Sequence, residues 1–227
     1  MVPSCRHRVE SNCLGSTLHA FLFVILCNMV VAGRVCTVDE IVKEGANDCT
    51  MLDGDGQALT VEGATALADA LMKTDAATNP KLAWIDLRSS SIGNKGLVAL
   101  ADALALNTQL KTIYFQANAV GDEGAVALAG VLKDHPGIRK LDLSWNLMGD
   151  AGAAALAEAL KVNTNLLELN LNYQSPPNNI GNEGATALVR SNQSGSMSRE
   201  RANRVVVRPT RQCLFFFLTP PPPMFLP

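Results

Sequence analysis

The sequence contains few aromatic residues, few histidines and no zinc-binding cysteine pattern. Phe, Trp and Tyr make up 5% of the 227 residues, with two Trp and two Tyr, and there are three His. The six cysteines stand at positions 5, 13, 27, 36, 49 and 213 and form no C-x-x-C pair, so we predict no zinc site. The formal net charge of −2 gives no overall electrostatic case for binding nucleic acid.

Signatures of catalysis are also missing. Two of the three histidines lie in an apolar N-terminal region, and His135 precedes a proline. No Ser/His/Asp arrangement and no glycine-rich phosphate-binding loop occurs. The segment 53–62 resembles part of a calcium loop, but Ala58 and Ala64 stand where that loop needs Gly and Glu. We therefore predict no enzymatic activity, no catalytic residue, no metal, no cofactor and no small-molecule substrate.

The sequence repeats itself every 28 residues. Four full copies begin at Leu82, Leu110, Ile138 and Leu166, and a degenerate copy begins at Cys49. In each full copy, apolar residues first alternate as in a strand and later recur every three or four residues as in a helix. A glycine-containing turn separates the two patterns. Self-similarity at this period predicts a stacked solenoid.

The repeat has the pattern L-x-x-L-x-L-x-x-N-x-I-G-x-x-G-A-x-A-L-A-x-A-L over about residues 49–190. This pattern resembles the leucine-rich repeats of the ribonuclease-inhibitor type, which NOD-like receptors and Ran GTPase-activating protein share. The resemblance implies an α/β horseshoe-shaped solenoid of 28-residue repeats, with parallel strands on the concave face and helices on the convex face. It indicates little about the partner, because many unrelated functions use the same fold.

Each position of the repeat has an expected role. Counting from the first Leu or Ile of each copy, positions 1, 4 and 6 are predicted to point inward; in the second full copy these are Leu110, Ile113 and Phe115. At position 9, Asn118 and Asn146 are predicted to bond the backbone and form a ladder, which Ser90 weakens in the first full copy. Parallel strands are predicted at 82–87, 110–115, 138–143 and 166–171, each followed by a helix.

Two features of the repeat concern its helix. Asp122 and Glu123 stand near the predicted helix start, where negative charge suits the macrodipole. Gly124 and Ala125 begin a stripe of small residues that lets the helix approach the strand. These residues are therefore interpreted as structural.

The outward strand positions 2, 3, 5, 7 and 8 remain free for function. Both Trp and both Tyr fall on them, and Trp, Tyr and Arg dominate binding hot spots. Equivalent positions on parallel strands lie about 4.8 Å apart. We predict a partner-binding site made of Trp84, Asp86, Arg88, Tyr114, Gln116, Lys140, Asp142, Trp145, Asn170 and Tyr173. The alternative is that the aromatic residues only pack on each other across strands.

These observations predict a non-catalytic protein–protein interaction module that binds another protein on the concave face. One alternative is a GTPase-activating protein resembling Ran GTPase-activating protein, with Arg88 stabilising charge on a transferring phosphoryl group. The long acidic tail of that family is absent here. Another alternative is a truncated remnant of a larger receptor-type repeat array.

The N-terminus is predicted to be an apolar leader spanning 1–36, before a repeat domain spanning 37–190. Its segment 19–33, "HAFLFVILCNMVVAG", follows basic residues and ends in small ones, as in a signal peptide cut near Gly33. It is short for a membrane span, so membrane association is predicted only if this segment acts as an anchor. Because the repeats resemble those of intracellular proteins, we predict a cytoplasmic location, with secretion as the alternative.

The segment 37–46 is predicted to be a short helix that covers the open end of the first repeat. Thr37 and Glu40 match a capping box. Two cysteines flank this helix in the sequence, Cys36 and Cys49. They would staple the cap if the leader is removed, or remain free thiols in the cytosol.

The region 191–227 is predicted to be a disordered basic and Pro-rich tail. From Arg190 onward it holds six Arg and one Glu, a charge of +5 that leaves −7 on the rest of the chain. Four consecutive prolines occupy 220–223. A four-residue insertion around "QSPPNN" in the last full copy is predicted to form a bulged loop.

Overall fold

The computed structural model describes residues 34–45, 49–73, 82–174, 180–193 and 205–206, and within them strands alternate with helices. The strands are β1 Arg34–Thr37, β2 Cys49–Asp53, β3 Trp84–Asp86, β4 Thr112–Tyr114, β5 Lys140–Asp142, β6 Glu168–Asn170 and β7 Val205–Val206. The helices are α1 Val38–Glu44, α2 Val61–Lys73, α3 Gly93–Leu106, α4 Asp122–Asp134, α5 Asp150–Val162 and α6 Asn182–Gln193.

The strands of the described residues form one sheet in chain order, and β2 to β7 pair in parallel. Equivalent repeat positions face each other: Trp84 pairs with Thr112, Thr112 with Lys140, and Lys140 with Glu168. From α1 to α6, each helix packs against the next. Parallel strands alternating with helices in this register confirm the predicted α/β solenoid.

The strands of the full repeats are shorter than the sequence predicts. Each of β3 to β6 has three residues, half the predicted length. The flanking residues still bond to neighbouring repeats: the N–H of Lys111 donates to the carbonyl of Ala83 at 2.9 Å, and that of Leu87 to Tyr114 at 3.0 Å. Hydrogen bonds between neighbouring repeats therefore continue beyond both ends of the three-residue strands.

The core contains the residues that the repeat positions predict. Leu110, Ile113 and Phe115, at positions 1, 4 and 6 of the second full copy, are each 0% exposed. Ala125 and Leu128 of α4 are equally buried. Strand leucines and small helix residues thus meet in one continuous apolar layer between sheet and helices.

Buried amides link each repeat to the next, as the pattern at position 9 predicts. The Oδ1 atom of Asn118 accepts from the backbone N–H groups of Ser90 at 2.9 Å and Ile92 at 3.3 Å. Its Nδ2 atom donates to the carbonyl of Leu87 at 2.6 Å. Asn146 makes the equivalent bonds one repeat later. Each amide therefore fixes the turn of the repeat before it.

The two ends of this amide ladder use other side chains. The hydroxyl of Ser90 donates to the carbonyl of Gly54 at 2.7 Å, which reproduces the donor half of an amide. At the other end, Gln174 accepts from the N–H of Met148 at 3.1 Å and donates to the carbonyl of Leu143 at 2.9 Å. The predicted asparagine ladder thus extends through a glutamine into the last repeat.

A second set of side chains caps helices in the following repeat. The Oδ1 atom of Asp122, the first residue of α4, accepts from the N–H groups of Gly149 and Gly152, both at 2.8 Å. Asn94 and Asp150 make the equivalent bonds in the repeats on either side. The interpretation of Asp122 as a charge that favours its own helix is therefore incomplete, because its carboxylate caps α5.

A third set ends the helices. Asn107, His135 and Asn163 follow α3, α4 and α5 at the same repeat position. The buried His135 ring accepts at Nδ1 from the N–H groups of Gly137 and Ile138, both at 3.1 Å, while Nε2 lies 3.0 Å from the Asn107 carbonyl. Nε2 therefore carries the proton. Desolvation by burial lowers the pKa of His135, so this histidine is a neutral turn residue.

The predicted N-terminal cap helix is present as α1. The N–H of Thr37 donates to the Glu40 carboxylate at 2.8 Å, and the Thr37 hydroxyl accepts from the N–H of Glu40 at 3.3 Å. Val38 and Ile41 are buried against the repeats. The cap begins with β1 at Arg34, three residues before the predicted boundary.

Cys36 and Cys49 form a disulfide bond, the first of the two states that the sequence left open. Their Cα atoms are 5.8 Å apart, and both residues are 1% exposed. The bond joins β1 to β2 and closes a short loop of the chain. It therefore staples the cap to the degenerate first copy.

The C-terminal region differs from the prediction in two places. Helix α6 continues to Gln193, and Val205–Val206 pairs in parallel with Leu169–Asn170 of β6. β-branched residues suit a strand at an open sheet edge, which accounts for β7. Within the described residues, no helix combines the length and apolar character needed to span a membrane. The predicted leader segment 19–33, the inserted loop at 175–179 and most of the tail lie outside the described residues.

Candidate functional site

Position 5 of the repeat fixes a turn in all copies except one. Asp53, Asp86, Asp142 and Asn170 each accept a hydrogen bond from the backbone N–H two residues later, at 2.9 to 3.3 Å. Short polar side chains make this bond readily. Tyr114 is the exception, because a phenol cannot reach back in this way. The repeat thus explains the acidic residues at this position and leaves Tyr114 unexplained.

Tyr114 lies at the centre of a cluster on the outward face of the sheet. Its ring centroid is 5.4 Å from that of Trp84, with the rings tilted by 51°. The guanidinium carbon of Arg88 lies 5.7 Å from the same centroid, and the Lys140 ammonium lies 5.5 Å from it. A tyrosine ring attracts cations at this range. The four residues, which we call the front cluster, all belong to the predicted site.

Two carboxylates hold Arg88 within the front cluster. Its Nε atom donates to Asp86 Oδ1 at 2.7 Å, and its Nη2 atom lies 2.5 Å from Asp86 Oδ2. Asp55 lies 3.6 Å from Nη2. The hydrogen bond with Asp86 raises the pKa of Arg88, so the guanidinium stays charged and fixed. Asp86 is only 8% exposed and holds the guanidinium from below, while the Arg88 side chain itself stays 36% exposed.

Lys140 bridges the front cluster to the last strand of the full repeats. Its ammonium forms an ion pair with Glu168 at 2.8 Å. Burial alone would lower the pKa of Lys140, but its interactions with Glu168 and Tyr114 outweigh burial and raise the pKa. Glu168 was not among the predicted site residues, although its place beside Lys140 in the same row of the sheet is the signal that could identify it.

Asp142 is held in a polar network below the surface. Its Oδ1 atom accepts from the Ser144 N–H at 2.9 Å and the Ser144 hydroxyl at 2.6 Å. Its Oδ2 atom accepts from Asn170 Nδ2 at 2.9 Å. Asp142 is 8% exposed, whereas Asn170 and Gln116 are half-buried at the edge of the outward face. This network supports the neighbouring turns.

Trp145 and Tyr173 form a second aromatic pair, which we call the stacked pair. Their ring centroids are 4.7 Å apart, with an angle of 20° between the planes. Trp145 is 56% exposed and Tyr173 is 47% exposed. They follow the carboxyl ends of β5 and β6, so they stand in turns beside the sheet, and Trp84 and Tyr114 stand on strands.

The stacked pair occupies a backbone position that bulky residues rarely adopt. Trp145 has φ of 59° and Tyr173 has φ of 55°, and the equivalent Ser89 and Ala117 have φ of 53° and 57°. This conformation recurs at position 8 in all four full copies, and the N–H of Trp145 there donates to the Asn172 carbonyl of the next repeat at 2.9 Å. A left-handed residue is normally Gly, Asn or Asp, and a bulky side chain there is a marked outlier. The fold therefore does not account for aromatic residues at this position.

The predicted calcium-like segment has a structural role. The N–H of Asp55 donates to Asp53 Oδ1 at 3.3 Å, and Asp55 pairs with Arg88. Among the residues that the structure describes, no group of three or more His, Cys, Asp or Glu is arranged to hold a metal. Asp55 was missed as a neighbour of the predicted site, although it stands one copy before Arg88 at position 7.

Comparisons with known proteins concern the repeats. A family model described as a leucine-rich repeat matches residues 78–101, 106–129, 138–157 and 162–189. No curated protein sequence matches the chain. Two solved structures are similar in fold. The leiomodin-1 actin-binding site 2 has a TM-score of 0.51 and 18% identity, over 68% of this chain and 86% of that chain. The tropomodulin C-terminal domain of Caenorhabditis elegans has a TM-score of 0.53 and 13% identity, over 69% and 89%.

Proposed function

Because the chain is a leucine-rich-repeat protein of the ribonuclease-inhibitor-like type, we propose that it is a non-catalytic module that binds another protein through the outward face of its sheet. That face is the one expected to be concave. One similar solved structure is named as an actin-binding site, which supports a protein as the class of partner without identifying it.

The observation that carries this proposal is the placement of the aromatic residues. Both Trp and both Tyr of the chain lie on the outward side, and the repeat requires none of them for its core or its turns. Partly exposed Trp, Tyr and Arg side chains are the ones that contribute most to protein–protein binding. Packing across strands accounts for the contacts within each pair, but it does not account for two half-exposed rings on left-handed backbone.

Within the predicted site, the residues divide by role. Trp84, Arg88, Tyr114, Lys140, Trp145 and Tyr173 are proposed to touch the partner. Asp86 and Asp142 are proposed to position their neighbours, because both are nearly buried and fully engaged with adjacent groups. Gln116 and Asn170 border the surface.

The surroundings of Arg88 also argue against the GTPase-activating alternative. A catalytic arginine must reach a transferring phosphoryl group with its guanidinium. In this chain Asp86 binds that guanidinium through two nitrogens, with Asp55 adjacent. Arg88 would have to leave both carboxylates before it could act in that way.

The test is capture of binding proteins from an extract of the source organism by three forms of the full chain. The first form is the unchanged protein, and the second is the aromatic variant, which carries both Tyr114→Ala and Trp145→Ala. The third is a control that carries both Lys133→Ala and Glu158→Ala, at exposed positions on the helices. We expect the unchanged and control forms to retain the same protein and the aromatic variant to lose it. Loss by the control alone would place the partner on the helices and contradict the proposal.

The disulfide also bears on the two predicted locations. Disulfides persist in oxidising compartments and are rare in the cytosol. The bond between Cys36 and Cys49 therefore supports secretion with cleavage near Gly33, just before β1 begins at Arg34. Mass spectrometry of the full chain produced in a secretory host tests this: a product beginning at Arg34 with one disulfide supports it. An uncleaved product beginning at Met1 with reduced Cys36 and Cys49 contradicts it.

A further inference from the structure

Along the row of position 8, the stacked pair is preceded by a small side chain. In chain order the row reads Ser89, Ala117, Trp145 and Tyr173, and all four share the same left-handed backbone. Neighbouring members of such a row lie about one strand spacing apart, roughly 4.8 Å. The indole of Trp145 is stacked on Tyr173 on one side, while a methyl group is its neighbour in the row on the other. A flat apolar ring could continue the stack above Ala117.

The last strand that the structure describes, β7, lies next to β6, the strand that Tyr173 follows. β7 runs parallel to β6, with Val206 paired to Asn170, so the carboxyl end of β7 lies at the same edge of the sheet as Tyr173, which follows β6. Thirteen residues separate Val206 from Pro220. An extended chain covers about 3.3 Å per residue. The full reach of this segment is therefore several times the two strand spacings, about 4.8 Å each, between β7 and β5, the strand that Trp145 follows. The four prolines at 220–223 are therefore within reach of the stacked pair.

Consecutive prolines have the chemistry that such a surface recognises. Proline rings fix φ and favour the polyproline II conformation, which loses little entropy on binding and packs onto exposed aromatic rings. Trp and Tyr also carry N–H and O–H donors for the carbonyl groups of such a segment. We infer that residues 220–223 of the chain itself dock on Trp145 and Tyr173 when no partner is bound. The inference concerns the free chain, and it can fail or hold independently of the proposed function.

The test uses Trp145 fluorescence in the full chain. Trp84→Phe leaves Trp145 as the only tryptophan, because the sequence has two. Acrylamide quenching of this form is compared with a tail variant carrying Pro220→Ser, Pro221→Ser, Pro222→Ser and Pro223→Ser. A matched control carries Pro176→Ser and Pro177→Ser. A peptide of residues 218–224 is then added to the tail variant.

We expect the quenching constant to rise at least twofold in the tail variant, to stay unchanged in the control, and to fall again when the peptide is added. The protection should be independent of protein concentration. Equal quenching in all three forms would overturn the inference, as would a rise in the control alone. Protection that appears only at high protein concentration would assign the segment to a second copy and equally overturn docking within one chain.

Discussion

The interior of the repeat stack and its outward face use different residue types for different purposes. Between repeats, Asn118, Asn146 and Gln174 are buried and saturated with backbone hydrogen bonds. On the outward face, Trp145 and Tyr173 are half-exposed on a backbone conformation that disfavours them. The first group repeats from copy to copy, whereas the second breaks the repeat. The proposed binding surface is therefore distinguished by its departure from the internal repeat, more than by polarity or charge.

The largest expected loss of stability comes from removing one of the buried amides between repeats. Asn146→Ala removes an amide that serves the N–H groups of Asn118 and Val120 and the carbonyl of Phe115. Each buried group left unpaired costs about 1–3 kcal/mol, so we expect the free energy of unfolding to fall by about 3 kcal/mol or more. Urea unfolding measures this. The outward control Gln116→Ala should change stability by less than about 0.5 kcal/mol, and equal losses in both variants would contradict the distinction.

Two glycines, Gly152 between repeats and Gly130 on the exposed side of α4, test the same difference between interior and surface. At Gly152 an added Cβ would lie 2.7 Å from the capping oxygen of Asp122 and 2.9 Å from Ala125 Cβ. At Gly130, within α4, an added Cβ would meet nothing within 4 Å. We expect Gly152→Ala to destabilise the protein by about 1–3 kcal/mol and Gly130→Ala to stabilise it by about 0.5–1 kcal/mol. Thermal unfolding of both variants checks the opposite signs.

His135, in the third set of side chains, which ends the helices, gives a smaller, pH-dependent effect. Burial lowers the pKa of His135 in the folded protein, so the unfolded chain takes up the proton first as the pH falls. Its contribution to stability is therefore complete above the ordinary pKa of about 6.5 and is lost as the pH falls below that value. His135→Asn, which copies Asn107 and Asn163, should remove this part of the pH dependence. An unchanged slope of unfolding free energy between pH 7.5 and 5.5 would contradict the assignment.

The smallest expected change in stability is on the outward face. Trp145→Asn places a residue that tolerates left-handed backbone where the indole now stands. The loss of stacking on Tyr173 and the relief of the backbone should nearly cancel, so we expect a change in unfolding free energy below about 1 kcal/mol. Chemical denaturation of the variant and the unchanged protein measures this change. A loss of unfolding free energy above about 2 kcal/mol would show that Trp145 is needed for folding, as the buried amides are.

The repeat made most of the fold predictable from the sequence. Its period gave the strands, the helices, the inward positions and the Asn118–Asn146 ladder. The contact of Asp122 with α5 was missed because it joins repeats 28 residues apart, which local helix rules do not describe. The burial of Asp86 and Asp142 was missed because an outward strand position was equated with exposure. Both carboxylates instead bend back to their own turns, and only the three-dimensional path of the chain shows this.

The most direct test of the central claim measures stability and binding on the same protein, Tyr114→Ala with Trp145→Ala. Once a partner is captured, its Kd for this variant is compared with that for the unchanged chain, and urea unfolding is recorded for both. We predict a Kd at least tenfold weaker, equivalent to about 1.4 kcal/mol, with an unfolding free energy within about 1 kcal/mol of the unchanged protein. An unchanged Kd, or a loss of binding matched by a loss of folding, would contradict the assignment of these rings to partner binding.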